Sequence, residues 1–159
     1  MTLGKNGKIP YLYSMRKADM KKVYIDMDDT ICDFTKPFKT GQFSQKYPQS
    51  KVGFFLDLDP IEGAIESIKN LQTKYNVYIL TRPSIKNIHC YTEKAEWIKK
   101  YFGEEMLEKL ILCPDKSLVK GEYLIDDDNR HGQTEFEGEH IQFGKGDFKD
   151  WKSVMDYLM

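Results

Sequence analysis

Acidic, hydroxyl and basic side chains occur in this 159-residue chain directly after its short apolar segments. Asp26 and Asp28 follow the run 23–25, whose valine, tyrosine and isoleucine are strand-forming residues. Three later apolar segments end in the same way, and the residues at their ends are Thr81 and Arg82, then Lys116, and finally Asp126 and Asp127. Any one of these residues alone is typical of a turn or a helix cap, but their coincidence at one edge of a sheet indicates a site.

The chemistry of this set of residue types is that of a metal ion and a phosphate group. Carboxylates gathered at one point repel one another unless a cation lies between them, and a set of oxygen ligands favours Mg²⁺. A threonine hydroxyl and a lysine ammonium suit phosphate oxygens, where negative charge accumulates in the transition state. A carboxylate can also attack phosphorus and form an aspartyl-phosphate.

Strands that alternate with helices are needed to bring these residues together. Hydrophobic runs predict strands at 22–27, 76–81, 110–113, 123–125 and 140–143. Helices are predicted from Asp59-Pro60 to Leu71, where Glu62 completes a capping-box pattern, and then over 92–102, 104–109 and 151–158. This alternation predicts an α/β fold, a Rossmann-like parallel sheet of about five strands with helices on both faces, whose ligand lies at the carboxyl ends of the strands.

The remaining parts of the chain suggest one domain with two additions. Residues 1–20 are interpreted as an N-terminal leader and residues 21–159 as the catalytic domain. Segment 33–58, rich in proline, glycine and phenylalanine, is expected to be a small cap inserted after the first strand, with a short helix within 35–46. Its aromatic rings either pack the cap or form a reduced stacking pocket for a base.

Composition excludes several classes of protein. The 24 basic and 25 acidic residues give a net charge of −1, which offers no support for a nucleic-acid or membrane partner. No apolar run approaches the roughly 18 residues of a membrane span. Three widely spaced cysteines form no metal-binding pattern and favour a reduced, cytoplasmic protein. The chain could be a monomer or a dimer.

Longer motifs carry a resemblance to a known family. Asp26-Met-Asp-Asp-Thr30 matches the Asp-x-Asp-x-Thr signature of the haloacid dehalogenase-like phosphohydrolases. Thr81, Lys116 and the pair Asp126-Asp127 follow in the order of that superfamily's later motifs. Further segments resemble the 5′(3′)-deoxyribonucleotidase family, among them Gly53-Phe-Phe-Leu-Asp-Leu58, Tyr91-Thr-Glu-Lys-Ala-Glu-Trp97, Lys100-Tyr-Phe-Gly103 and Tyr123-Leu-Ile-Asp-Asp127.

The resemblance implies roles for the residues at the end of the first strand. Asp26 would be the nucleophile and a metal ligand. Asp28 would be the general acid that protonates the leaving oxygen and then the base that activates water, and its backbone carbonyl would meet the metal.

The later motifs imply the remaining roles. Thr81 and Arg82 occupy phosphate-contact positions, and Lys116 would steady the nucleophile and the phosphate charge. Asp126 and Asp127 would hold Mg²⁺, directly or through water. Arg82 departs from the small residue expected after the threonine, and such a cation could bind a second anionic group or reinforce phosphate binding.

These features together predict a Mg²⁺-dependent phosphomonoesterase that acts through an aspartyl-phosphate, with (deoxy)nucleoside monophosphates as the first candidate substrates. The segment 33–58 is shorter than the cap of the family's vertebrate enzymes. The resemblance therefore does not indicate which nucleobase this chain would bind. Alternatives are a phosphatase of another small phosphate ester or of nucleic-acid ends, and a non-enzymatic phospho-receiver domain. A receiver domain would place its accepting aspartate alone at a mid-chain strand, in contrast to the position of Asp26.

Overall fold

The computed structural model of the chain describes residues 19–41 and 46–159. Its strands are β1 (Lys22–Ile25), β2 (Asn76–Thr81), β3 (Leu110–Leu112), β4 (Tyr123–Asp126) and β5 (Glu139–Gln142). They form one sheet in the order β3-β2-β1-β4-β5, and each neighbouring pair is parallel. The predicted five-stranded parallel α/β sheet is confirmed. The predicted leader lies outside the described residues except for Asp19 and Met20.

Four α-helices accompany the sheet within the described residues. They are α1 (Lys36–Lys39), α2 (Ala64–Leu71), α3 (Cys90–Phe102) and α4 (Trp151–Leu158). Short 3₁₀ helices lie at Pro48–Ser50, Phe54–Asp57, Glu104–Lys109 and Lys116–Leu118. Asp150 caps α4 as one half of a capping box with Ser153, whose amide donates to the Asp150 carboxylate at 2.8 Å. No helix in this part of the chain is both long enough and apolar enough to cross a membrane.

The two faces of the sheet are covered differently. Side chains of each strand alternate between the faces, so that Val23 and Ile25 of β1 enter the main core, whereas Tyr24 points to the other side. Helices α2, α3 and α4 all contribute to the main core. The opposite face is covered by Phe136 and by the chain around the 3₁₀ helix Lys116–Leu118, because both connections that cross it are mostly irregular.

The helix predicted to start at Asp59-Pro60 starts later, and that part of the prediction is wrong. The Ile61 amide donates to the Ile31 carbonyl at 2.9 Å, and the Asp59 carbonyl accepts from the Asp33 amide at 2.8 Å. These bonds hold the segment in an extended form beside residues 31–33. Helix α2 begins only at Ala64, after Gly63 turns the chain with a φ of 77°.

Residues 33–58, which we call the cap segment, are fastened to α3. Glu93 accepts a hydrogen bond from the Gly53 amide at 2.7 Å, and the Trp97 indole donates to the Leu58 carbonyl at 2.8 Å. The helix predicted within 35–46 is present as α1, and residues 42–45 lie outside the described residues. Rings of Phe34, Phe38, Phe54 and Phe55 pack on one another with centroids 5.1 to 6.1 Å apart.

Candidate active site

Three carboxylates meet where β1 and β4 end. These strands are parallel neighbours, so the residues that follow them emerge at the same edge of the sheet. The Asp26 amide donates to the Ile125 carbonyl at 2.9 Å, which carries the strand pairing up to the site. One oxygen from each of Asp26, Asp126 and Asp127 lies within 4.8 Å of the other two.

Burial and the neighbouring negative charges act against the ionised forms of Asp126 and Asp127. Burial, reinforced by the charge of Asp26, raises the pKa of Asp126 to about 6. Burial and the charges of Asp26 and Asp126 raise the pKa of Asp127 to about 7. A cation among the three would relieve this repulsion, and a ligand set made only of carboxylate oxygens fits a hard divalent ion such as Mg²⁺.

Lys116 contacts two of these carboxylates, Asp26 and Asp126. Its ammonium donates to Asp26 Oδ1 at 2.6 Å and to the Leu80 carbonyl, and it lies 3.3 Å from Asp126 Oδ2. Burial alone would lower the pKa of Lys116, but the charges of Asp26 and Asp126 outweigh burial and raise it. Lys116 therefore stays charged and lies against the carboxylate predicted to attack phosphorus.

Asp28 lies two residues further along the turn that follows β1. The next residue, Asp29, has a positive φ of 55°, and its carboxylate accepts from the Thr35 amide at 2.8 Å, which fixes the turn. Asp28 Oδ2 accepts from the ammonium of Lys94 at 2.8 Å. Lys94 lowers the pKa of Asp28, but burial outweighs this cation and raises the pKa. The raised pKa favours the protonated form of Asp28.

Thr81 and Arg82, at the end of β2, have different surroundings. Thr81 is fully buried, and its hydroxyl oxygen accepts from Lys94 at 2.7 Å. Arg82 is exposed, and its Nη1 lies 2.9 Å from Nε2 of His131. Burial and the neighbouring Arg82 lower the pKa of His131, so the imidazole is neutral and can accept this bond.

A cleft of about 390 Å³ opens above these residues. Among the predicted site residues, all but the buried Thr81 line it: Asp26, Asp28, Arg82, Lys116, Asp126 and Asp127. The cap segment supplies one wall through Phe34, Tyr47 and Phe55, while Lys86, Arg130 and His131 stand among the remaining lining residues. The arrangement combines an acidic floor with apolar and basic walls, which suits a phosphate ester with an attached organic group.

Sequence reasoning missed Lys94, which lies at the centre of this arrangement. The sequence pattern predicts a helix over 92–102 and assigns none of its lysines to the site. The buried residues of α3 are Cys90, Glu93, Lys94, Trp97 and Ile98. The spacing from Cys90 through Lys94 to Ile98 is a helical stripe, and a lysine within it is the signal that could have revealed the contact.

Comparison with known proteins identifies relatives along most of the chain. The model of the family described as 5′ nucleotidase, deoxy (pyrimidine), cytosolic type C protein matches residues 27–154. A Vibrio phage KVP40 protein assigned as a 5′(3′)-deoxyribonucleotidase is 36% identical over 90% of this chain and 87% of its own length. The human cytosolic-type 5′(3′)-deoxyribonucleotidase is 42% identical over 77% of this chain and 79% of its own.

A solved structure agrees with the fold. A Bacillus subtilis protein assigned as a HAD-hydrolase, determined with magnesium bound, superposes with a TM-score of 0.58 at 12% identity. The alignment covers 87% of this chain and 98% of the other. At this identity the likeness concerns the fold alone.

Proposed function

The chain belongs to the 5′ nucleotidase, deoxy (pyrimidine), cytosolic type C family, and on that premise we propose that it is a Mg²⁺-dependent phosphomonoesterase that hydrolyses (deoxy)nucleoside monophosphates. One observation carries the proposal within this chain. Three carboxylate oxygens gather within 4.8 Å at a strand edge, beside a buried lysine that donates to one of them at 2.6 Å. Metal-assisted phosphoryl transfer needs this combination of groups.

Asp26, Asp126 and Asp127 are the proposed metal ligands, with the Asp28 backbone carbonyl as a further donor. Bound Mg²⁺ would offset the charge of the carboxylates and of the phosphate oxygens. Lys116 adds a second positive charge next to Asp26, and the donors expected for the phosphate are Lys116 and Arg82, which line the cleft, whereas the Thr81 hydroxyl predicted for this role is buried and does not line it. Together these groups oppose the repulsion between an anionic nucleophile and an anionic substrate.

The proposed reaction has two steps. An oxygen of Asp26 attacks phosphorus, the bond from phosphorus to the ester oxygen breaks, and Asp28 gives its proton to the departing alcohol. Asp28 then takes a proton from a water molecule whose oxygen attacks the aspartyl-phosphate. Inorganic phosphate leaves and Asp26 is restored. The raised pKa of Asp28 supports the first role, because an acid must hold its proton before it can give it.

The wall of the cleft supports a nucleoside as the organic group. Phe34 and Phe55 line the cleft, but both rings also pack within the cap segment, at a centroid separation of 6.1 Å. A base would therefore meet rings that already have partners, and we propose loose discrimination among bases. A cytoplasmic location, inferred from the reduced cysteines, is part of the same proposal.

A phosphate-release panel tests the function. Purified protein is assayed with nucleoside 5′- and 3′-monophosphates, sugar phosphates and a 5′-phosphorylated oligonucleotide, each with Mg²⁺ and with chelator, and Asp26→Asn serves as the inactive control. We expect Mg²⁺-dependent release from the mononucleotides and a phosphorylated Asp26 in acid-quenched protein. No release from any ester would refute phosphatase activity, and preference for the oligonucleotide or a sugar phosphate would reassign the substrate.

A further inference from the structure

Lys94 is a buried cation that no role proposed above uses. It projects from the second turn of α3, its side chain is fully buried, and it does not line the cleft. Its ammonium donates to Asp28 Oδ2 at 2.8 Å, to Thr81 Oγ1 at 2.7 Å and to the Arg82 carbonyl at 2.8 Å. These bonds join the turn after β1 to the end of β2.

The geometry of an ammonium group limits what Lys94 can do. It has three N–H donors, and three acceptors already receive them. Lys94 thus has no donor left for a phosphate, in contrast to Lys116, whose side chain lines the cleft. A buried cation is retained only where its bonds are satisfied, so its contacts hold their acceptors firmly.

Each contact constrains an atom expected to act on the substrate. The bond to Oδ2 fixes the rotamer of Asp28, and Oδ1, which receives only a long contact from the Cys32 thiol at 3.7 Å, is the oxygen proposed for proton transfer. The bond to Thr81 makes the hydroxyl oxygen an acceptor, so its own hydrogen must point away from Lys94. The bond to the Arg82 carbonyl holds the backbone of the phosphate-contact segment.

We propose that Lys94 is a positioning residue that acts through Asp28. This inference rests on the proposed phosphatase function. Lys94 holds the Asp28 carboxyl where it meets the departing oxygen, and its bond to the buried Thr81 hydroxyl anchors it to the end of β2. The role is separate from that of its neighbour Glu93, whose carboxylate accepts from the Gly53 amide at 2.7 Å and the Phe55 amide at 3.3 Å.

Two classes of substrate distinguish this role from a structural one. A nucleotide leaves as an alkoxide that needs a proton, whereas p-nitrophenyl phosphate leaves as a stabilised phenolate that does not. Lys94→Met, which keeps the chain length and removes the donors, should lower kcat for a nucleoside monophosphate by about 10²-fold or more, within the range of a lost general acid. In single-turnover measurements of enzyme phosphorylation, the loss with p-nitrophenyl phosphate should be at least about tenfold smaller than the loss with the nucleotide, since this leaving group needs no acid. The later base step at Asp28 is common to both substrates and does not enter this measurement.

Glu93→Gln is the matched control, because it alters a buried charge on the same helix turn without touching Asp28. It should change the phosphorylation rate with both substrates by the same factor, and a loss confined to the nucleotide should appear in KM, because Glu93 holds the wall expected to meet the base. A second test combines Lys94→Met with Asp28→Asn. If Lys94 acts through Asp28, the double variant should hydrolyse the nucleotide about as slowly as Asp28→Asn alone.

Several results would overturn the inference. Equal losses of the single-turnover phosphorylation rate with the two substrates, a raised KM with unchanged kcat, or multiplicative losses in the double variant would each show that Lys94 does not act through Asp28. Should Lys94→Met fail to fold, Lys94→Gln, which retains one donor group, is measured in the same way and judged by the same criteria. Wild-type protein inactive on nucleotides would instead refute the proposed function, so the two failures are distinguishable.

Discussion

The carboxylate cluster should make the metal-free protein less stable as pH rises. Asp127 has a pKa of about 7 in the fold, above its ordinary 3.8. A carboxyl whose pKa is raised by folding binds its proton more tightly in the folded state. Its contribution to the free energy of unfolding is therefore intact below the unfolded pKa and is lost as pH rises to the folded one. Asp126, at about 6, acts in the same direction.

The size of the effect follows from the shift. One pKa unit corresponds to about 1.4 kcal/mol, so a shift of about three units for Asp127 sets an upper limit of about 4 kcal/mol. Because Asp127 borders the cleft and is partly screened by water, we expect about 2–4 kcal/mol. Two histidines oppose this trend, because burial lowers the pKa of His131 and of His140 and so adds stability as pH rises. Lys116, whose pKa is raised above 10.5, does not titrate in this range.

The assay is urea unfolding in chelator at pH 5 and pH 8, for wild type and Asp127→Asn. The difference between the two proteins cancels the histidines. Because pH 5 is already above the unfolded pKa of 3.8, part of the effect is present there. Between pH 5 and pH 8 we expect the variant to gain a further ~1–3 kcal/mol on wild type, roughly the two remaining pKa units less screening. Saturating Mg²⁺ should then stabilise wild type at pH 8, by about 2.7 kcal/mol at a hundredfold excess over Kd, and the variant less. A difference that is flat with pH, or no response to Mg²⁺, would refute the proposed cluster.

Substitutions in the cleft give further tests. Asp26→Asn should abolish phosphate release and leave the far-ultraviolet circular dichroism unchanged, because the amide is nearly isosteric but does not attack phosphorus. Asp28→Asn should lower kcat for nucleotides by about 10²–10⁴-fold in steady-state assays, and near wild-type rates for either variant would contradict the covalent mechanism. Phe54→Ala should cost about 3–5 kcal/mol in denaturant unfolding with base preference almost unchanged, since the ring packs in the cap segment and does not line the cleft. A base preference above about 10³-fold that is lost in Phe54→Ala would show a true base pocket, since one apolar contact is worth only ~1–3 kcal/mol.

The position of the acidic cluster could be predicted from sequence because one topological rule suffices. Short apolar runs predict the strands, their parallel order brings the carboxyl ends to one edge, and Asp26, Asp126 and Asp127 each follow such an end. The same argument brings Lys116 to the site without any knowledge of the cap. These positions depend on strand order and strand ends, which hydrophobic pattern specifies well.

The start of α2 could not be predicted in this way. Asp59, Pro60 and Glu62 fit a local capping pattern, but the backbone groups there bond to residues 31–33, far along the chain. Asp59 itself lies 2.7 Å from the Lys36 ammonium instead of capping a helix. Local propensity is a weak preference, and non-local hydrogen bonds that close the base of the cap segment outweigh it.

Lys94 could not be predicted for a related reason. A charged residue on an amphipathic helix is assigned to solvent unless a partner is known, and its acceptors belong to two other elements. Only the packing of α3 against the ends of β1 and β2 brings them within reach. Buried ionic contacts between distant segments are therefore the part of a site that is hardest to predict from a single sequence.

Helix α3 gives the site two independent attachments through adjacent residues. Glu93 binds the cap segment through the Gly53 and Phe55 amides, whereas Lys94 binds the turn after β1 through Asp28. Successive residues of a helix point about 100° apart, so one turn can serve both. Because the two sets of acceptors do not overlap, changes at Glu93 should act on the wall that meets the base, and changes at Lys94 on the chemistry of the phosphate. Helix α3 thus holds both the cap segment and Asp28. Substitutions at Glu93 and at Lys94 should nevertheless affect the two separately.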